Sequence, residues 1–310
     1  MADVNVVKNN FLLIASSGSF ANFNPPQLIY YHDKLQQFLL SSGDTLATVE
    51  LFNLYELQFY LALLTKNDIE AKTVLNKLLD QFGNNKKSQR LKLLQSIYLE
   101  AIGDKEEALN LINRNPDEIQ LARRLVTFSR MNENEDDNED YIETLNYFLD
   151  LQPSDLIAWS ELGHEYSKIG HYDKAIHCFK EILLQDSFIY PIYYQVGLNY
   201  YYQFLQEEKN LKTERKDKLL ELMNILINAR NNFLRAIEIF DDYPKGWVGI
   251  LTITKLNSFN DKLKKLSDGG LKEVKQYLEQ NESLQKLSNS KVEEFVTTEE
   301  YGSIIKQFSK

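Results

Sequence analysis

The amino-acid sequence predicts an all-α protein, with helix–turn–helix units stacked as a right-handed superhelical solenoid and helical caps at both ends. Three observations carry that expectation. Only 12 Gly and 6 Pro punctuate 310 residues, and so few breakers favour long regular elements. In the clearest segment the apolar residues recur at i, i+3 and i+7, the stripe that one face of a helix presents to a core. That segment is echoed downstream in the same phase, which is the signature of a repeat array. Such an array grows by stacking units rather than by enlarging one core, so 310 residues are compatible with one domain over 1–310.

Taken in order, the first 45 residues are expected to cap the stack, residues 46–257 to hold the repeats, and residues 258–310 to form a second helical cap. Leu64 to Ala71 and Ala101 to Ala108 each read as a helix end, a polar turn and a new helix bearing a small residue. Glu118 to Met131 is amphipathic. The acidic run Asn132 to Asp140 interrupts the pattern, and helix returns from Tyr141 to Leu151, with Pro153 as a stop. The strongest signal follows. Counting Leu156 as position 1, Trp159, Leu162, Gly163, Tyr166, Gly170, Tyr172, Ala175 and Phe179 occupy 4, 7, 8, 11, 15, 17, 20 and 24. These offsets define a tetratricopeptide unit of about 34 residues. Gly163 and Ala175 are small so that two antiparallel helices approach closely, while Trp159, Leu162 and Tyr166 fill the space between them.

The next unit begins at Tyr190 and places Tyr193, Val196, Gly197 and Tyr200 in phase. Its second helix is late: Ala229, Phe233 and Ala236 carry the 20, 24, 27 pattern about twenty residues beyond expectation. The excess lies around 207–219, where the charged run Lys212 to Lys218 reads as an extended first helix followed by a solvated loop. Trp247 then falls where another position-4 aromatic belongs. Gly269 and Gly270 separate two helices of the C-terminal cap.

Composition narrows the function. A net charge of -10 and a pI of about 5.1 oppose general binding to nucleic-acid phosphates. A single cysteine, Cys178, excludes an intramolecular disulfide framework and suits a reducing compartment. The run Phe11 to Ala15 is short for a secretory signal, and Leu51 to Leu64 contains Glu56 and Gln58, too polar to span a bilayer. His164, His171, His177 and Cys178 suggest a metal cluster, but adjacent helical residues point about 100° apart, so His177 and Cys178 do not converge. Cys178 is expected as a small buried packing residue. The acidic run 133–140 lacks the glycine and terminal glutamate of a calcium loop. No phosphate loop, nucleophile elbow or Ser/His/Asp set is present, so neither catalysis nor a cofactor is expected.

In tetratricopeptide units the groove is lined by first-helix positions 2, 5, 9, 12 and 13. These are Ile157, Ser160, His164, Ser167 and Lys168 in the first unit, Pro191, Tyr194, Leu198, Tyr201 and Tyr202 in the second, and Lys245, Val248, Thr252, Lys255 and Leu256 in the third. Tyrosines there could grip an extended tail or helix of a partner, although they could equally pack against their neighbours. A clamp for acidic chaperone tails would need Lys and Asn where Ser160 and His164 stand, so that mode is not expected.

The stretch Asp155 to Leu184, with Trp159-x-Glu161-Leu162, Tyr172-x-Lys174-Ala175 and Cys178, resembles the family of subunit 2 of the endoplasmic reticulum membrane protein complex. Phe23 to Leu28 and the approach to Lys245-Gly246-Trp247 are similar to its fungal branch. The likeness runs over roughly residues 20 to 255. It implies a non-catalytic cytosolic scaffold, peripheral on the cytoplasmic face of the endoplasmic reticulum membrane. In that family the solenoid cradles cytosolic parts of membrane-embedded subunits, especially subunits 3 and 5, within a machine that inserts tail-anchored and multi-spanning proteins. The alternative from the repeats alone is an auxiliary subunit wrapping a soluble catalytic partner such as a transferase.

Overall fold

The computed structural model describes residues 2–82, 88–113, 118–130, 138–211, 215–267 and 270–297. Regular structure among them is entirely helical, with fifteen α-helices and two short 3-10 turns. The chain divides into two compact units, residues 1–133 and 134–310.

The first unit opens with α1 (Ala2–Ser17), a 3-10 turn (Ser19–Asn22) and α2 (Pro25–Ser42). A capping box starts α2: the Gln27 amide donates to Asn24 Oδ1 at 2.9 Å and the Asn24 amide donates to Gln27 Oε1 at 3.1 Å. Pro25 and Pro26 follow, where a missing N–H costs nothing. Helix pairs α3 (Thr48–Leu64) with α4 (Asp68–Phe82) and α5 (Gln89–Ala101) with α6 (Lys105–Asn113) come next, then α7 (Ile119–Arg130). The apolar run of α3 is explained by its burial on two sides. Leu54, Leu57 and Leu61 pack with Phe11, Leu35 and Phe38 of the cap, while Phe59 and Ala62 pack with Ala71, Val74 and Leu78 of α4. Glu70 ties these elements together. Its carboxylate accepts from Gln58 at 2.9 Å and Asn67 at 2.8 Å, and lies 3.1 Å from Nε2 of buried His32.

The second unit contains α8 (Asn138–Leu151), α9 (Leu156–Lys168), α10 (Tyr172–Gln185), α11 (Tyr190–Lys209), α12 (Lys216–Ile239), α13 (Pro244–Thr254), α14 (Asn257–Ser267) and α15 (Lys272–Thr297). The unit read from Leu156 folds as its spacing predicts. Asp155 caps α9 by accepting from the Ala158 amide at 2.8 Å. At position 15 the chain turns through a left-handed residue, Gly170 at φ 81°. The equivalent turns of the first unit use Gly103 at φ 91° and Lys66 at φ 60°. A lysine there carries a steric cost of about 1–2 kcal/mol that glycine avoids.

One expectation needs correcting. The first helix is extended as expected, but the charged run read as loop is already helix from Lys216 onward. Helix α11 has 20 residues where α9 has 13, and Ala229 is the fourteenth residue of α12 where Ala175 is the fourth of α10. The reason is a continuous buried stripe, Leu219, Leu222, Met223 and Leu226, which prolongs the packing face by three turns. Residues 212–214 lie outside the described residues. Beyond α13, helix α14 places Phe259 and Leu263 in the core cluster of this unit. Helix α15 packs on both α13 and α14, adding Val274, Tyr277, Val292 and Phe295 to the same cluster. Gly270, at φ 91°, precedes it, and Gly269 lies outside the described residues. Of the acidic run, 133–137 also lies outside them. Asn138, Glu139 and Asp140 form the first turn of α8, where acidic side chains suit the helix dipole.

Candidate partner-binding surface

The repeat residues set the helix-pair geometry on which any surface depends. A Cβ built on Gly163 would stand 3.0 Å from the Phe179 ring, and one on Gly197 would stand 2.8 Å from the Phe233 ring. Leu162, Ala175, Phe179, Ala229, Phe233, Ala236 and Trp247 are buried with these glycines. Trp159, Tyr166 and Tyr200 are half-buried and pack against the core formed by Ala175, Phe179 and Val196. Their rings also meet side chains of α10. His177 meets Trp159 edge-on at 6.1 Å, Lys174 sits 5.1 Å from the Tyr166 centroid, and Lys180 donates to the Tyr200 hydroxyl at 2.9 Å.

Ile157, Ser160, His164 and Lys168 share one face of α9 by their i, i+3, i+7, i+11 spacing. Ile157 is 65% exposed, His164 and Lys168 are exposed, and Ser160 is half-buried. His164 is held in place: Nδ1 lies 2.6 Å from the Ser160 carbonyl oxygen and the ring meets Phe179 edge-on at 5.2 Å. Lys168 donates to Glu165 at 2.6 Å.

The tyrosines of α11 divide into two roles. Tyr194 packs 5.6 Å from the Phe233 ring and 5.8 Å from Tyr243, and burial raises its hydroxyl pKa. Tyr201 is likewise half-buried with a raised pKa caused by desolvation, and Leu198 packs against the same core. Tyr202 alone of this set is exposed, its ring 5.6 Å from Tyr172. On α13, Lys245 and Thr252 are exposed and Val248 packs on the core. Helices α11 and α13 pack on one another, and α9 and α11 both pack on α10. The exposed members are therefore Ile157, His164, Lys168, Pro191, Tyr202, Lys245, Thr252 and Lys255, with the remainder supporting them from beneath.

A second concave surface, in the first unit, was not anticipated. A groove of about 970 Å³ is lined by Leu12, Leu13 and Phe20 from the cap, Asn53, Glu56 and Tyr60 from α3, and Arg90 from α5. Arg90 hydrogen-bonds Glu56, donates to Asn53 at 2.9 Å and lies over Phe52 at 4.4 Å. Tyr60 stacks on Phe20 at 5.2 Å, and burial, reinforced by Glu56, pushes its hydroxyl up to about 12. The signal was present in sequence. Setting Ala71 and Ala108 at position 20 puts Asn53, Glu56 and Tyr60 at positions 2, 5 and 9 and Arg90 at position 2.

Cys178 is 1% exposed, and desolvation raises its thiol to about 12. Thiolate is the reactive form, so maleimide should fail to label the native protein at neutral pH and should label it fully in urea. Rapid stoichiometric labelling of the native protein would show instead that α9 and α10 open readily. Among the described residues no three His, Cys, Asp or Glu side chains are grouped as metal ligands, and no helix is long and apolar enough to cross a membrane.

The helix pairs, their small-residue crossings and their left-handed turns define a tetratricopeptide-repeat protein. The chain is similar to ER membrane protein complex subunit 2 of Saccharomyces cerevisiae, 26% identical over 283 residues, which cover 87% of this chain and 92% of that one. It is also similar to the TPR repeat protein oca3 of Schizosaccharomyces pombe, 26% identical over 206 residues and 65% of each chain. Dictyostelium discoideum ER membrane protein complex subunit 2 is 24% identical over 220 residues, 62% of this chain and 66% of that one. Among solved structures, the C-terminal part of a TPR repeat-containing protein from Cytophaga hutchinsonii aligns over 80% of this chain and 97% of its own, at 14% identity and a TM-score of 0.42. No protein-family model matches the chain.

Proposed function

We propose that the two units act together as one non-catalytic scaffold domain of an endoplasmic reticulum membrane protein complex. The chain would lie on the cytoplasmic face of the membrane and hold cytosolic parts of embedded subunits, with subunits 3 and 5 as its expected neighbours. By holding them it would support the insertion of tail-anchored and multi-spanning proteins. One observation carries this reading: the likeness to the yeast subunit extends over nearly the whole of both chains, beyond the repeat that unrelated tetratricopeptide proteins share. The site agrees with it, since exposed apolar and aromatic side chains on first helices suit capture of a protein segment. Recruitment to the membrane would then run through the embedded partners.

The test is to tag the protein, solubilise membranes in mild detergent and identify what co-purifies. A stoichiometric set of membrane-embedded subunits supports the proposal. A soluble catalytic partner in its place favours the auxiliary-subunit alternative and removes it. The surface itself is tested by Ile157→Glu combined with Tyr202→Glu, because both side chains are exposed and both changes should leave the melting midpoint in place. Recovery of the embedded subunits is expected to fall by about tenfold, equivalent to ~1.4 kcal/mol of binding. Unchanged recovery by the folded double variant would move the contact to the groove between Phe20 and Arg90 or elsewhere.

A further inference from the structure

The second unit holds a buried cation that no carboxylate of the described residues neutralises. Arg230, on α12, is 7% exposed. Its guanidinium donates to two neutral amide oxygens of α15, Asn281 Oδ1 at 3.0 Å and Gln280 Oε1 at 2.9 Å, and lies 5.2 Å from the Tyr277 ring centroid. By comparison the partly buried Arg124 of the first unit has the partner such a group ordinarily has, the carboxylate of Glu100. A guanidinium carries five N–H donors and keeps its charge in proteins, and a buried charge without a counter-ion is costly.

Arg230 also lines an open groove. Together with Leu234 of α12 and Gln276, Gln280 and Leu284 of α15 it borders a cleft of about 590 Å³, within the size range of ligand pockets. Glu279, the acidic residue of the rim, is exposed and stands 3.9 Å from Lys275, a weak pairing that leaves the guanidinium unneutralised. The cleft thus offers two leucines and a fixed planar cation, two of whose five N–H donors are engaged by the amide oxygens of α15.

We infer that the cleft between α12 and α15 is a second partner-binding site, built to receive an acidic side chain, Asp or Glu, from an apolar-flanked helix of a partner protein. Its charge complementarity names the occupant: the site supplies the cation, and the missing member of the pair is an anion with apolar neighbours. The inference stands apart from the membrane-complex reading, since it rests on this pair of helices alone.

The test uses the full chain and a fluorescent alanine–leucine helical peptide carrying glutamates, beside a twin in which glutamines replace them. At low salt the glutamate peptide is expected to bind at least about tenfold more tightly, saturably, and to shift the Arg230 Nε–H resonance. Arg230→Met, similar in length and uncharged, should bring the glutamate peptide down to the affinity of its twin. Equal binding of the two peptides, absence of binding, or a preference that survives Arg230→Met would each overturn the inference and leave Arg230 as a structural tie between α12 and α15. Should Arg230→Met fail to fold, the comparison of peptides on the wild-type chain, with the Arg230 resonance as reporter, decides alone.

Discussion

Phe233→Ala is expected to destabilise the second unit by about 3–5 kcal/mol, read as a shift in the urea midpoint by far-UV circular dichroism. The ring is 1% exposed and sits between two helices that have no side chain at the point of contact. A Cβ built on Gly197 of α11 or on Gly249 of α13 would each come within 2.8 Å of it. Those glycines exist to admit the ring, and without it the helices cannot close the void unless their backbones move. The loss should therefore fall toward the upper end of the range. A second measurement separates this account from generic core damage. Gly197→Ala alone should be destabilising by about 1–3 kcal/mol through overpacking, although alanine is the better helix former. In the Phe233→Ala background the same change should cost clearly less, because the ring is gone and only the Ala229 carbonyl oxygen, 3.1 Å away, still crowds the new methyl. An identical cost in both backgrounds would mean that the ring is not seated between α11 and α13.

The extent to which this was legible in sequence follows from how local each constraint is. Gly163, Gly170, Ala175 and Phe179 could be placed because a helix pair is decided within about 34 residues, and each small residue answers a large one in the same unit. Burial of the position-4 and position-11 aromatics could not be placed, because it depends on which helix is laid over them next. One side of Tyr166 and Tyr200 packs on the apolar core, while the ammonium groups of Lys174 and Lys180 lie over the rings. In the insertion, Lys212 to Lys218 is charged enough to resemble loop, yet its last three residues open α12, whose stripe from Leu219 to Leu226 stands at helical spacing. The groove of the first unit went unnoticed because Lys66 stands where the pattern has glycine, so the anchor for counting was hidden. The unpaired charge of Arg230 is invisible in sequence, since Asn281 and Gln280 lie some fifty residues away in the cap helix.

Trp247→Ala is expected to cost about 3–5 kcal/mol, and Trp159→Ala only about 1–2 kcal/mol, although the two residues hold the same repeat position. They share one interaction. Trp247 Nε1 donates to the Asp241 carbonyl at 2.7 Å and Trp159 Nε1 to the Pro153 carbonyl at 2.8 Å, each six residues back in the turn that leads into its helix. The indole thus fastens the connection between successive units. What differs is the covering. Trp247 is 4% exposed within the cluster that α15 completes through Val292 and Phe295, while Trp159 is half-buried against α10. Substitution by phenylalanine separates the two contributions. It deletes the hydrogen bond and keeps most of the ring, so both positions should lose a similar ~1 kcal/mol. Substitution by alanine also removes apolar area, and only there should the positions diverge. Because the chain has 2 tryptophans, each Trp→Phe variant leaves the other indole as the sole reporter. Emission from Trp247 should lie to the blue of that from Trp159, as burial requires. Equal alanine costs together with coincident emission would show that α15 does not cover α13, and with that contact gone the cleft beside Arg230 would have no second wall.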